Sequence, residues 1–297
     1  MTEAAFFSGF AAIVGRPNVG KSTLTNALVG SKVAITSSKP ETTRGNIRAI
    51  VEGQGYQIVL VDTPGLHRPR TLLGSRLGEM VRQALADVDA VVVVLPANQA
   101  IGPGDRFLLK ALPGNTQAVA AVSKTDLVSK PQLVVKLTEV DSLMEWAGIV
   151  PVSAKNGQGV GELTQLLGGL MPPGPRWYPQ GQTTDQELNT RLAELIREAS
   201  LEAMRHELPH SVAVLIDQVT KPTEPEAVIE VMASLFVERD SQKGIVIGHR
   251  GERLKQIGTA ARPGLEALLG GRVFLRIHVK VAKDWQSDPK QLRRLGF

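Results

Sequence analysis

Gly15-Arg16-Pro17-Asn18-Val19-Gly20-Lys21-Ser22 follows the apolar run Phe10–Val14 and precedes a stretch with helical patterning. It fits G-x-x-x-x-G-K-[ST], in which glycines let backbone N–H groups curl around phosphates, the lysine meets the terminal phosphates and the serine offers its hydroxyl to Mg²⁺. For a chain of this composition a chance match is on the order of one in a hundred. Moving outward, Tyr56–Val61, Ala90–Leu95, Gln117–Val122 and Ile149–Val152 are further short apolar runs, separated by helix-length amphipathic stretches. Such runs suit strands buried on both faces, so the spacing predicts an α/β, doubly wound, mostly parallel sheet. Ile47–Val51 lies too close to Tyr56–Val61 for a crossover helix, which predicts an antiparallel hairpin at one edge.

Asp62-Thr63-Pro64-Gly65 places a carboxylate at the C-terminal end of a strand, where parallel-sheet sites form. Asp62 is expected to hold Mg²⁺ through water, and the Gly65 N–H to sense a third phosphate. Ser123-Lys124-Thr125-Asp126 and Ser153-Ala154-Lys155 each follow another predicted strand. A carboxylate can accept both N1–H and N2–H₂ of guanine, and adenine has no such donor pair. Asp126 therefore selects GTP or GDP, Lys124 lies along the base, and the 153–155 turn supplies a backbone N–H, assigned to Ala154, to guanine O6. The candidate nucleotide set is Gly15, Asn18, Val19, Gly20, Lys21, Ser22, Thr23, Asp62, Lys124, Asp126, Ser153, Ala154 and Lys155.

In order and location these boxes resemble those of Ras-like GTPases, across residues 9–171. The resemblance makes 38–44 a switch loop whose threonine closes on Mg²⁺ and the terminal phosphate. Thr43 is favoured over Thr42 by the Thr-Thr-Arg signature of the Era and tRNA-modification branch, which gives Ser22, Thr43 and Asp62 as the Mg²⁺ set and Lys21, Thr43 and Gly65 as the catalytic set. In that branch the residue matching Asn18 can ligate K⁺. Two positions depart from the pattern. Ser123 stands where the family has asparagine and can replace only part of that residue's bridging, which predicts weaker nucleotide affinity. Leu66 follows the glycine where Ras-like enzymes position water with glutamine; leucine cannot do so, His67 is a candidate substitute, and intrinsic hydrolysis should be slow.

Residues 171–181 contain four prolines and two glycines, the mark of a semi-rigid linker. The expected boundaries are a Ras-like GTPase domain over 1–171, a linker over 172–184 and a second domain over 185–297. In the last, Asp185–His206 reads as a helix, Val212–Val219, Val228–Val237 and Val273–Val281 as strands, and Ile257–Leu269 as a helix that Pro263 should kink or break. Gly248-His249-Arg250-Gly251 sits between the strand-like run Ile245-Val246-Ile247 and a helix. It resembles the loop with which K-homology (KH) domains clamp about four nucleotides of single-stranded RNA. The element order matches an α+β, type-two KH domain. Lys243, Gly244, Ile245, Ile247, Gly248, His249, Arg250, Gly251, Arg253 and Lys255 are the candidate RNA-binding residues. Charge agrees: residues 172–240 carry 6 Lys+Arg against 12 Asp+Glu, and 241–297 carry 12 against 4. Trp285, Phe236 and Phe274 are too few for base stacking to be the main mode.

Taken over residues 9–297, the chain is similar to the Era family of ribosome-assembly GTPases. The likeness implies binding near the 3′ end of small-subunit ribosomal RNA, a role in maturing the small ribosomal subunit, a monomeric state, a cytoplasmic address and peripheral contact with the inner membrane face. Two other readings compete with this one. An RNA-modifying enzyme would need an acid/base set or flavin fingerprint in 172–297 that is not there. A membrane-surface GTPase would need a basic amphipathic helix longer than Lys290–Arg294. No apolar run is long enough to span a bilayer, the start lacks the layout of a signal peptide, and zero cysteines exclude disulfides and thiolate metal sites.

Overall fold

The computed structural model describes residues 5–37, 39, 42–65, 71–114, 116–204, 211–220 and 228–296. They form two compact units. The first holds 1–34, 43–69 and 75–185, and the second holds 35–42, 70–74 and 186–297.

The first unit is a six-stranded sheet. In chain order its elements are β1 (Phe7–Val14), α1 (Lys21–Val29), β2 (Ile47–Gly53), β3 (Tyr56–Asp62), α2 (Leu72–Ala86), β4 (Ala90–Pro96), α3 (Pro103–Ala111), β5 (Gln117–Ser123), α4 (Lys130–Asp141), β6 (Gly148–Pro151) and α5 (Val160–Leu170). The order across the sheet is β2-β3-β1-β4-β5-β6. Only β2 with β3 is antiparallel, joined through Gln54 and a left-handed Gly55. Alternate residues of the central strands feed two cores. Leu24, Leu28, Leu163 and Leu167 of α1 and α5 fill one, and Val81, Leu108 and Val140 of α2, α3 and α4 fill the other. All seven residues of β4 are buried, the property that made the apolar runs legible. Val14, Asp62, Ser123 and Pro151 thus end side by side at one edge.

The proline-rich stretch lies along that sheet. Ser8 N–H donates to the Pro172 carbonyl at 2.9 Å and Ile50 N–H to that of Thr183 at 2.9 Å. Gln57, fully buried, accepts from the N–H groups of Trp177 and Tyr178 at 2.9 and 3.0 Å and donates to the Tyr178 carbonyl at 2.9 Å. Prolines remove backbone donors, so a buried amide side chain serves the remaining polar groups.

The second unit contains α6 (Leu188–Ala203), β7 (Ala213–Thr220), β8 (Ile229–Val237), α7 (Asp240–Ile247), α8 (Glu252–Leu269), β9 (Val273–Val281) and α9 (Pro289–Arg294). Its sheet runs β7-β8-β9, with β7 antiparallel and β9 parallel to β8. Leu192 and Ile196 of α6, Val246 of α7 and Ile257 and Leu265 of α8 pack on Val231, Ala233, Leu235 and Val237 of β8. Two expectations are corrected here. Ile245-Val246-Ile247 is the last turn of helix α7 rather than a strand; only Val246 of the three is buried, which is helical rather than strand-like burial. Pro263 does not break α8, which runs unbroken from Glu252 to Leu269. The missing hydrogen bond is offset by burial of Ala261 and Leu265 on either side, and Gly264 lets Leu195 of α6 approach to 3.1 Å from where a Cβ would stand.

Candidate functional site

Between β1 and α1 the chain turns back on itself through left-handed Asn18 (φ 63°) and Gly20 (φ 101°). Helix α1 starts with no side-chain cap and no acidic residue in its first turn, so its open N–H groups and positive pole face the loop. Lys21 is buried; its ammonium donates to the carbonyls of Gly15 and Arg16 at 3.2 and 3.0 Å. Burial lowers its pKa to about 8, against the pull of the Asp62 charge. Gly15 has no room for a side chain, since a Cβ would lie 2.8 Å from the Val94 carbonyl. Val19 is buried, whereas Thr23 is exposed on α1.

Asp62 is fully buried and, among the described residues, neither carboxylate oxygen makes a hydrogen bond. Burial raises its pKa to about 6, with the Lys21 charge and the neighbouring Ser22 hydroxyl opposing the shift. A buried carboxylate without donors is costly unless a cation meets it. The Ser22 and Thr43 hydroxyls lie 2.8 Å apart. Three oxygen-bearing side chains beside a phosphate-type loop are the donor set a Mg²⁺ ion takes with a nucleotide, so these residues fit the ion. Thr43 is itself buried. Gly65 abuts the loop: a Cβ there would come within 2.9 Å of Pro17. Leu66 and His67 lie outside the described residues.

At the other end of the loop, Lys124 (φ 58°) donates to the Asn18 carbonyl at 2.7 Å, laying its alkyl stem beside Gly20. Ser123 donates to the Val19 carbonyl at 2.7 Å, and the Ser153 hydroxyl donates to Asp126 Oδ1 at 2.8 Å. The small Ser123 therefore still ties its strand end to the loop, and the Asp126–Ser153 bond joins the other two segments. Asp126 itself is exposed, Ala154 half-buried and Lys155 exposed.

Sequence reasoning missed three supports. Arg16 of the loop pairs with buried Asp105 at 2.7 Å, and Asp105 also accepts from Gly102 N–H at 2.8 Å. Gly102-Pro103-Gly104-Asp105 reads as a helix start, but nothing in it names Arg16 as the partner. Gly159 is required because a Cβ would stand 2.1 Å from the Pro151 carbonyl. In the second unit, Glu198 of α6 accepts from Thr36 N–H at 2.9 Å and the fully buried Arg197 donates to the Thr42 carbonyl; two buried charges on an apolar helix face have no sequence signature.

The Gly-x-x-Gly loop joins α7 to α8. Gly248 has φ 75° and ψ 179° and Gly251 has φ 81°, while Arg250 between them is left-handed at φ 47°. A Cβ on Gly248 would meet Arg253 Cβ at 2.8 Å; at Gly251 there is space, and the left-handed backbone alone demands glycine. His249, Arg250, Gly244 and Lys255 are exposed, and Lys243, Ile245 and Ile247 are half-buried. Arg253 is engaged with the Ile245 carbonyl at 2.6 Å, closing α7. The loop thus offers a strained, exposed backbone flanked by cations and two aliphatic side chains.

Family models match at both sites: one described as a 50S ribosome-binding GTPase over residues 10–125 and a KH domain over 207–286. The GTPase Era of Mycobacterium tuberculosis is 56% identical over 302 residues, and that of Mycolicibacterium paratuberculosis 56% identical over 301, each covering 100% of both chains. Among solved structures, an Aquifex aeolicus Era variant bound to GDP·AlF4⁻ superposes with TM-score 0.93 at 33% identity, over 98% of this chain and 99% of that one. Era in complex with MgGDPNP and nucleotides 1506–1542 of 16S ribosomal RNA gives TM-score 0.91 at 33% identity over the same shares. With a GTPase model and a KH model matched on one chain and 56% identity over its full length, this protein belongs to the Era family of GTPases.

Proposed function

We propose that this GTPase is a molecular switch that binds single-stranded ribosomal RNA near the 3′ end of the small-subunit rRNA and acts in small-subunit assembly. The observation that carries the switch is the buried Asp62 carboxylate, without a hydrogen bond among the described residues, beside the Ser22–Thr43 pair. The segment holding Thr43 is thereby tied to whatever ion and phosphate lie at the loop.

In this reading the backbone amides of Gly15–Ser22 surround the phosphates, Lys21 turns from its own loop's carbonyls to the terminal phosphates, and Thr23 flanks them. Mg²⁺, held by Ser22, Thr43 and Asp62, neutralises charge on the phosphates. Gly65 N–H reports the third phosphate. Asp126, steadied by Ser153, accepts from guanine; Lys124 lies along the base, Ala154 N–H meets O6, and Lys155 borders the pocket. Asn18 is the proposed K⁺ ligand. In the second unit Gly244, Gly248 and Gly251 allow close approach, Lys243, His249, Arg250, Arg253 and Lys255 serve phosphates, and Ile245 and Ile247 receive bases. The proposed domain limits remain 1–171 and 185–297, with 172–184 between them. A monomeric, cytoplasmic protein with peripheral membrane contact rests on the family likeness alone, although no described helix is long and apolar enough to cross a membrane.

The test is the double variant Gly248→Asp/Gly251→Asp with an RNA matching the 3′ end of 16S rRNA. RNA binding should be lost while GTP binding persists. Unchanged RNA affinity would remove the loop from this role.

A further inference from the structure

We propose that the outer face of the second unit's sheet is a second RNA-contact surface, which takes the phosphate backbone flanking the segment held at the Gly-x-x-Gly loop. The proposal rests on the reading of that loop as an RNA clamp.

Strand β9 alternates without exception. Leu275, Ile277, Val279 and Val281 pack in the core with α7 and α8, while Phe274, Arg276, His278 and Lys280 are exposed on the opposite face. That row therefore points away from the helix layer that carries the loop. Consecutive members stand about 6.6 Å apart and the row runs about 20 Å, long enough for several nucleotides. The C-terminal segment adds Arg294.

The strand and the segment after it carry a basic excess of their own, separate in sequence from that around the loop. Residues 272–296 hold 7 Lys+Arg and 2 Asp+Glu, a balance of 7 − 2 = +5, while 243–255 around the loop hold 4 and 1, a balance of +3. The basic end of the chain is thus two groups, and the larger is not at the loop. Three of its cations lie against aromatic rings. Lys280 and Arg294 lie 5.9 and 5.5 Å from the Phe236 ring, and neither has a carboxylate partner among the described residues. Arg276 lies 5.2 Å from the ring of Phe274 and shares Glu230 at 3.0 Å. Cations held over aromatic faces keep their charge toward solvent while losing little rotamer freedom on binding.

A solvated edge strand explains the charges alone. It does not explain Phe274, a large ring left 49% exposed at the end of the row beside Arg276. A flat ring at the end of a row of cations suits a nucleotide strand, whose bases stack while its phosphates pair. An anionic bilayer is the poorer match, because one ring on a flat strand offers little apolar area to insert.

The experiment uses the full chain with Arg276→Gln, Lys280→Gln and Arg294→Gln combined. Two RNAs are titrated across a salt series: a short single strand that fills the loop, and a longer RNA with the same segment and its flanks. The expected result is unchanged affinity for the short RNA and roughly tenfold weaker binding of the longer one, with the log–log salt slope shallower by about 2. The charge-preserving variant Arg276→Lys/Lys280→Arg/Arg294→Lys should bind both RNAs normally, separating charge from folding. Unchanged affinity and slope for the longer RNA would overturn the proposal. So would loss of binding to phosphatidylglycerol vesicles with RNA binding intact, which would assign the face to lipid. If Gly248→Asp/Gly251→Asp leaves the short RNA bound, it is the loop reading that falls.

Discussion

The nucleotide site and the Gly-x-x-Gly loop are both strained, in opposite ways. Around Asp62 and Lys21 the strain is electrostatic and internal: two ionisable groups are buried, one without a donor and the other turned onto carbonyls of its own loop. Around Gly248 the strain is conformational and on the surface, with positive φ at Gly248, Arg250 and Gly251. The first should be relieved by binding a cation and polyphosphate, the second exploited by a backbone that must come close. A single chain thus prepares one site to be completed by charge and the other by shape.

The sharpest way to break this contrast is Lys21→Ala, which should weaken GTP binding by about a thousandfold, several charge-assisted bonds being lost together. RNA affinity of the nucleotide-free protein should not move; titration with a fluorescent GTP analogue and with RNA reads both. Next in size is Gly248→Ala. Left-handed strain and the contact with Arg253 should destabilise the second unit by about 1–3 kcal/mol and cut RNA affinity at least tenfold, with nucleotide binding unchanged. Asp62→Asn should separate function from stability. Burial raises the folded pKa from 3.8 to about 6, so the folded chain holds that proton more tightly than the unfolded chain. The associated stability is full below about pH 4 and is lost as pH rises through 6. In the metal-free protein at pH 8, asparagine should therefore stabilise by about 1–3 kcal/mol while Mg²⁺-dependent GTP binding is lost. Thermal melts at pH 5 and 8 should show a gain at both, larger at the higher pH. Smallest is Ser123→Ala, which removes the bond to the Val19 carbonyl and should cost about 1 kcal/mol of GDP affinity.

Much of the molecule was legible because its parts are local. The buried strands read directly as apolar runs, and the loop, Asp62 and Asp126 announce themselves by spacing. Pro263 misled because proline's local effect omits the packing of Ala261, Gly264 and Leu265 that keeps α8 continuous through it. Ile245-Val246-Ile247 misled because three β-branched residues favour a strand locally, while core contact through Val246 alone suits a helix. Asp105 with Arg16 and Gln57 with the proline-rich stretch could not be read at all, since each joins residues separated by 89 or more positions.

The central claim is that Asp126 makes this a guanine site. Its most direct test is Asp126→Asn titrated with GTP and with xanthosine triphosphate. The carboxylate accepts from guanine N1–H and N2–H₂, whereas an amide N–H₂ can donate to the xanthine O2. Affinity for GTP should fall at least a hundredfold and affinity for the xanthine nucleotide should rise above it. Unchanged preference for GTP would contradict the account.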